Sequence, residues 1–163
     1  MGRTIQPARF HQGVPQVQVL AYATGQVFKR GAPVVDDVNG QIVETAADPQ
    51  SIRGIALQDA GTGPGYGLAD STSIVFATGR AQEVSVAIAD RHTNFTARGV
   101  NGGTDPVVPT QTHIGEQYSL AKVGNDWVID MANPTTPAVE IVDILPELNA
   151  FVFKFIESVL AMP

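Results

Sequence analysis

Apolar residues in this chain fall in short, largely β-branched runs that alternate with polar positions and are cut every few residues by glycine or proline. A period of two is the pattern of a half-buried strand, and such frequent punctuation leaves little room for long helices. Residues 16–22, QVQVLAY, place Val17, Val19 and Ala21 on one face of a strand. Residues 27–30 form another short strand after the Gly25 turn. Residues 34–38 and 41–44 flank Asn39-Gly40, a pair suited to the positive φ angles of a type I′ hairpin turn. Residues 51–57 read as a buried strand in which Gly54 permits a bulge or a close backbone approach. Strands follow at 71–77 and at 83–88, the second with Val84, Val86 and Ile88 inward.

The second half repeats this grammar with longer interruptions. Residues 90–112 are loop-rich around short pieces such as Phe95-Thr96-Ala97, and a long loop in a small domain is a natural contact surface. Residues 117–123 and 127–131 flank Gly124-Asn125-Asp126 as a second hairpin. Residues 138–145 alternate as a strand, and Phe151, Phe153 and Phe155 share one face of another. That aromatic strip reads as core packing in preference to an exposed docking strip. The first fifteen residues form an irregular arm whose isolated apolar anchors are Ile5, Phe10 and Val14. The apolar tail, residues 159–163, is expected to dock on the domain's own surface or on a neighbour's. The pattern predicts an all-β fold: a single-domain β-sandwich or jelly-roll-like barrel over residues 16–163, with an extended N-terminal arm at 1–15.

Composition narrows the functional classes. Of 163 residues, 16% are charged, below the quarter usual for globular domains, which fits equally a surface that partly faces something other than water and a plain Gly- and Ala-rich, weakly charged domain. The net charge is −6 and the ten basic residues are scattered, with only Lys29 and Arg30 adjacent. Nucleic-acid binding needs a clustered basic footprint, so no nucleic-acid partner is expected. No apolar run reaches the ~20 residues of a membrane helix, and the first residues lack the apolar stretch of a secretory signal, so no membrane partner is expected either. The chain has no cysteine, which removes disulfides and thiol nucleophiles and suits assembly in a reducing cytoplasm.

A search for catalytic chemistry finds little. His11, His92 and His113 lie in three separate loops without ligand spacing, so no metal or other cofactor is expected. Asp36, Asp37 and Asn39 lack the ligand spacing and distal glutamate of a calcium loop and belong to a turn. The glycine-rich residues 61–67 are followed by a strand rather than a helix and have no adjacent lysine, which argues for a loop over a phosphate cradle. Asp90-Arg91-His92 is the densest polar cluster, and an exposed turn explains it better than acid–base work. No nucleophile elbow and no glycosidase-like carboxylate couple stands out, so the chain is not expected to be an enzyme.

Residues 27–35 (VFKRGAPVV), 39–44 (NGQIVE) and 52–57 (IRGIAL), with Tyr118-Ser119-Leu120, Trp127-Val128-Ile129-Asp130 and Val152-Phe153-Lys154-Phe155, resemble the decoration, or cement, proteins of tailed-bacteriophage capsids. The resemblance covers some two thirds of the chain. It implies a jelly-roll-like homotrimer, assembled in the host cytoplasm, that binds the major capsid protein on the outer capsid surface of the virion and braces the shell. It carries over no catalytic or ligand residue. Capsid or subunit contacts are expected from the arm (Ile5, Phe10, Val14), the glycine loop (Tyr66), residues 90–112 and the tail (Val159, Leu160, Met162). The alternative is a carbohydrate- or receptor-binding β-sandwich of a virion fibre, using Trp127, Tyr66 or Tyr118 as sugar-stacking rings. A small β-barrel hydrolase, a third option, lacks an active-site cluster.

Overall fold

The computed structural model describes residues 5–7, 15–61 and 83–161. Its strands are β1 (Gln6–Pro7), β2 (Val17–Ala21), β3 (Pro33–Asp36), β4 (Ile42–Glu44), β5 (Gly54–Ala56), β6 (Glu83–Ile88) and β7 (Phe95–Ala97). They continue with β8 (Gly99–Val100), β9 (Pro106–Val107), β10 (Gln117–Val123), β11 (Asp126–Asp130), β12 (Val139–Leu145) and β13 (Ala150–Phe155). Helical structure among the described residues is confined to single 3-10 turns such as Gln111–His113 and Glu157–Val159. The fold is all-β, and two sheets pack as a sandwich.

The first sheet has the order β2-β6-β5-β3-β4, with antiparallel pairing throughout. It curls until its two ends meet: Tyr22 bridges Ile42, and the Ala23 N–H donates to the Ile42 carbonyl at 3.0 Å. The second sheet runs β1-β7-β13-β12-β10-β11-β8-β9. Only Arg98 separates β7 from β8, so residues 95–100 pair with β13 through their first half and with β11 through their second. The pairings from β7 through β13, β12, β10 and β11 to β8 therefore begin and end on the same segment, residues 95–100. The β8–β11 pair is parallel and the rest of this ring is antiparallel.

One continuous apolar core spans both sheets. Phe95, Phe151, Phe153 and Phe155 are all at most 1% exposed. Phe95 meets Phe155 edge-on at 5.4 Å between ring centres, and Phe155 meets Phe153 in the same way. Such T-shaped contacts bring the positive ring edge to the negative face. The i, i+2, i+4 phenylalanine strip is core. On the first sheet, Val34, Ile42, Ala56, Val84 and Val86 are fully buried.

Several local expectations change. Residues 27–30 form no strand; Phe28 alone bridges Ala60. In the strand expected at 51–57, regular pairing is confined to β5, with Ile52 bridging Leu160 separately. Asn39-Gly40 does lie in the β3–β4 hairpin, but the connection is longer than a two-residue type I′ turn. The Asp37 carboxylate accepts the Asn39 and Gln41 amides, the Gly40 N–H donates to the Asp37 carbonyl, and only Gly40 of the Asn-Gly pair has positive φ. The Asp37 side chain thus organises a wider loop, which relieves Asn39 of the left-handed conformation. At the second hairpin Val123 pairs with Asp126, leaving the two-residue connection Gly124-Asn125. The strand expected at 71–77 lies outside the described residues.

Candidate interaction surface

Several polar side chains among the described residues hold the fold together. Glu44, on β4 of the first sheet, accepts the Trp127 indole N–H at 2.8 Å and Lys122 Nζ at 2.7 Å. Lys122 and Trp127 are cross-strand partners on β10 and β11, so one carboxylate ties the edge of the first sheet to a strand pair of the second. Asp48 makes a second tie. Its carboxylate accepts the Ser119 hydroxyl at 2.5 Å and the Asn133 side-chain amide at 2.9 Å, while its backbone N–H donates to the Leu120 carbonyl. Ser119 is fully buried and needs such a partner.

Asp90-Arg91-His92 is a turn. The Asp90 carboxylate accepts the backbone amides of His92 at 2.7 Å and Thr93 at 2.6 Å, and Arg91 pairs with Glu157. Burial raises the Asp90 pKa, but those amides, the Thr93 hydroxyl and the charge of His92 together bring it below the ordinary carboxylate value. At Asp59 burial is likewise outweighed, here by the Arg30 amide and by the hydrogen bond and charge of Lys29. Carboxyls held ionised in this way accept hydrogen bonds steadily and are poor proton donors near neutrality. His113 turns its Nδ1 to the Thr110 N–H and hydroxyl and packs edge-on against Phe151. Among the described residues no three His, Asp or Glu side chains converge as a metal site, and no helix is long and apolar enough to cross a membrane.

A cavity of about 170 Å³ opens beside β8, β9 and β11, between Val100, Pro106, Val123 and Val128, with Arg98, Thr104 and Asp126 in its lining. It has no histidine and no aromatic ring, so it offers neither a general base of neutral pKa nor a stacking platform. Trp127 is only 1% exposed and its N–H is taken by Glu44, which leaves no face on which a sugar could stack. Tyr118 is half-buried on β10, and burial, helped by the charge of Glu116, raises its pKa.

The residues expected to make partner contacts separate into three groups. Ile5 is 2% exposed and belongs to the core, and the adjoining β1 pairs with β7, so this part of the arm is sewn into the second sheet. Val159 is 4% exposed and also joins the core. Leu160 is half-buried and bridges Ile52, with the Ile52 and Ala161 amides bonded across the junction. That part of the tail therefore docks on the chain's own surface. Phe10, Val14, Tyr66 and Met162, with residues 62–67 of the glycine loop, lie outside the described residues.

Exposed apolar side chains stand elsewhere. Val17 and Val19 on β2 are half-exposed, Val38 tips the β3–β4 loop in full contact with water, and Val27 and Val108 are more than half-exposed. Ile114 and Leu148 add two more branched side chains on surface turns. Val108 and Ile114 flank the end of the 90–112 region singled out from the sequence. Val17 and Val19 were legible as one face of a strand, but nothing in their alternation says which face meets solvent. Comparison of the chain with protein-family models, with curated proteins and with solved structures returns no match.

Proposed function

We propose that this chain is a structural binding protein of a bacteriophage virion, a cement or decoration protein that binds the major capsid protein on the outside of the shell as a homotrimer and stabilises it. The observation that carries this reading is the division of labour among the described side chains. Glu44, Asp48, Trp127 and Ser119 are engaged in ties that hold the fold together, while branched apolar residues are left on an edge strand and on turns. Such a body suits adhesion through area: scattered apolar contacts release water when covered, and several modest contacts engaged together give a long-lived attachment. The resemblance of the strand-and-turn segments to phage decoration proteins supplies the identity of the surface.

The test is sedimentation of the purified protein with empty capsid shells, combined with its native mass alone. A trimer that co-sediments at a fixed ratio to capsid subunits and raises the temperature at which shells rupture supports the assignment. A protein that stays in the supernatant with every shell tested sinks it.

A further inference from the structure

Among the described residues, one edge of β2 has no pairing strand beside Val17 and Val19. The Ile88 N–H donates to the Gln16 carbonyl, and the register pairs Gln18 with Val86 and Leu20 with Val84. In an antiparallel ladder the bonded residues alternate, so Gln16, Gln18 and Leu20 bond to β6 while the amides and carbonyls of Val17, Val19 and Ala21 point away from it. Among the described residues no strand pairs along that side of Val17–Leu20, and the sheet closes through the Tyr22–Ile42 bridge at the C-terminal end of the strand. Val17 and Val19 are 50% and 53% exposed, so the same two residues offer both backbone and apolar surface. Natural edge strands are usually guarded by lysine, proline or another charge pointing outward. Residues 16–21, QVQVLA, have none.

The strand is also self-complementary. Val17-Gln18-Val19 reads the same in both directions. We propose that β2 is a docking edge for a second copy of this chain, which adds its own β2 antiparallel about a two-fold axis at Gln18. Val17 of one copy then faces Val19 of the other, the valines exchange both of their backbone hydrogen bonds, and the apolar side chains cover one another. Because the strand is uncharged, no like charges are brought face to face although each chain carries −6. This isologous contact is independent of the capsid reading. It differs in symmetry from a trimer's three-fold contact, and the two coexist only in assemblies of even copy number.

The geometry gives a direct test. Gln18 opposes its own copy as a non-bonded pair, with about 4.5 Å between Cα atoms, a separation that a disulfide spans. The chain contains no cysteine, so Gln18→Cys introduces a single thiol. Mild oxidation is expected to convert the 17.2 kDa chain into a reducible species of twice that mass. In the cysteine-free protein, Val17→Lys with Val19→Lys sets lysine against lysine and is expected to raise the dissociation constant of the self-contact more than about tenfold. Val17→Lys with Val19→Glu sets opposite charges together and is expected to retain association. The double-lysine variant makes the net charge less negative, so general repulsion between copies cannot explain its separation. A Gln18→Cys protein with native circular dichroism and a titratable thiol that stays uncrosslinked at high concentration would overturn the proposal. So would unchanged native mass in the double-lysine variant. Strong hydrogen-exchange protection of the Val17 and Val19 amides at concentrations where the protein is monomeric would also overturn it, because another part of the same chain would then occupy the edge.

Discussion

The indole N–H of Trp127 donates to the carboxylate of Glu44 at 2.8 Å, joining β11 of one sheet to β4 of the other. Trp127 is buried, so its N–H has no ready exchange with water, and Glu44 is its acceptor. Glu44→Ala strands that donor and frees Lys122. The loss is expected to be about 1–3 kcal/mol, with Glu44→Gln milder because an amide oxygen still accepts. Urea unfolding followed by Trp127 fluorescence measures both, and equal stabilities for the two variants and the parent would show that the tie contributes nothing.

Gly54 is required by crowding. A Cβ there would lie 2.7 Å from Val86 Cγ1 and collide with the Ala87 carbonyl oxygen on the neighbouring strand. This is the close backbone approach that the sequence suggests at a glycine inside a strand. Gly54→Ala is expected to cost about 1–3 kcal/mol or more, since β5 and β6 must move apart in the middle of the sheet. The midpoint of thermal unfolding reports it, and an unchanged midpoint would mean that the sheet yields freely.

Asp48 and Ser119 should behave as one unit. Asp48 holds a left-handed backbone, φ 53°, and places its carboxylate on a hydroxyl that has no access to solvent. Asp48→Ala strands the buried Ser119 hydroxyl, whereas after Ser119→Ala the exposed Asp48 carboxylate keeps Asn133 and water. Asp48→Ala is therefore expected to cost more in the parent than in the Ser119→Ala background, a non-additivity of about 0.5–3 kcal/mol. A double-mutant cycle closing at zero would mean that Asn133 alone anchors the loop.

Asp90 predicts a pH dependence of definite sign. Its folded pKa lies below the unfolded value, because the amides of His92 and Thr93 favour the carboxylate more than burial disfavours it. The stabilisation is therefore fully present above the unfolded carboxyl range, near pH 4, and is lost as pH falls through the lower folded value. Asp90→Asn is expected to be less stable than the parent at pH 7, with the gap closing toward pH 3. Parallel urea titrations at the two pH values decide this, and a constant gap would contradict the sign.

Much of the fold is written locally. The phenylalanines at 151, 153 and 155 had to share a face because side chains alternate along a strand, and their chemistry made that face a core. The alternation at 83–88 set Val84 and Val86 inward by the same rule, and glycine at 54 announced a backbone contact before its partner was known. Other features depended on residues far apart in the chain. The turn after β3 widened because the Asp37 side chain captured two amides, and residues 27–30 lacked a partner strand to make their apolar pattern a ladder. Trp127 and Tyr118, equally plausible as surface rings in the sequence, were drawn inward by Glu44 and by the packing of β10 on β12.

The all-β character of this protein was determined by its sequence, through a two-residue period and dense turn chemistry, both of them short-range properties. Tertiary structure decided which apolar residues remain outside. Ile5 and Val159, near the two ends of the chain, found room in a shared core, whereas Val17 and Val19 lie on a strand that described neighbours cover on one edge only. Whether a valine faces core or water depends on which strands lie beside and beneath it, and those neighbours are set by pairings across the whole chain.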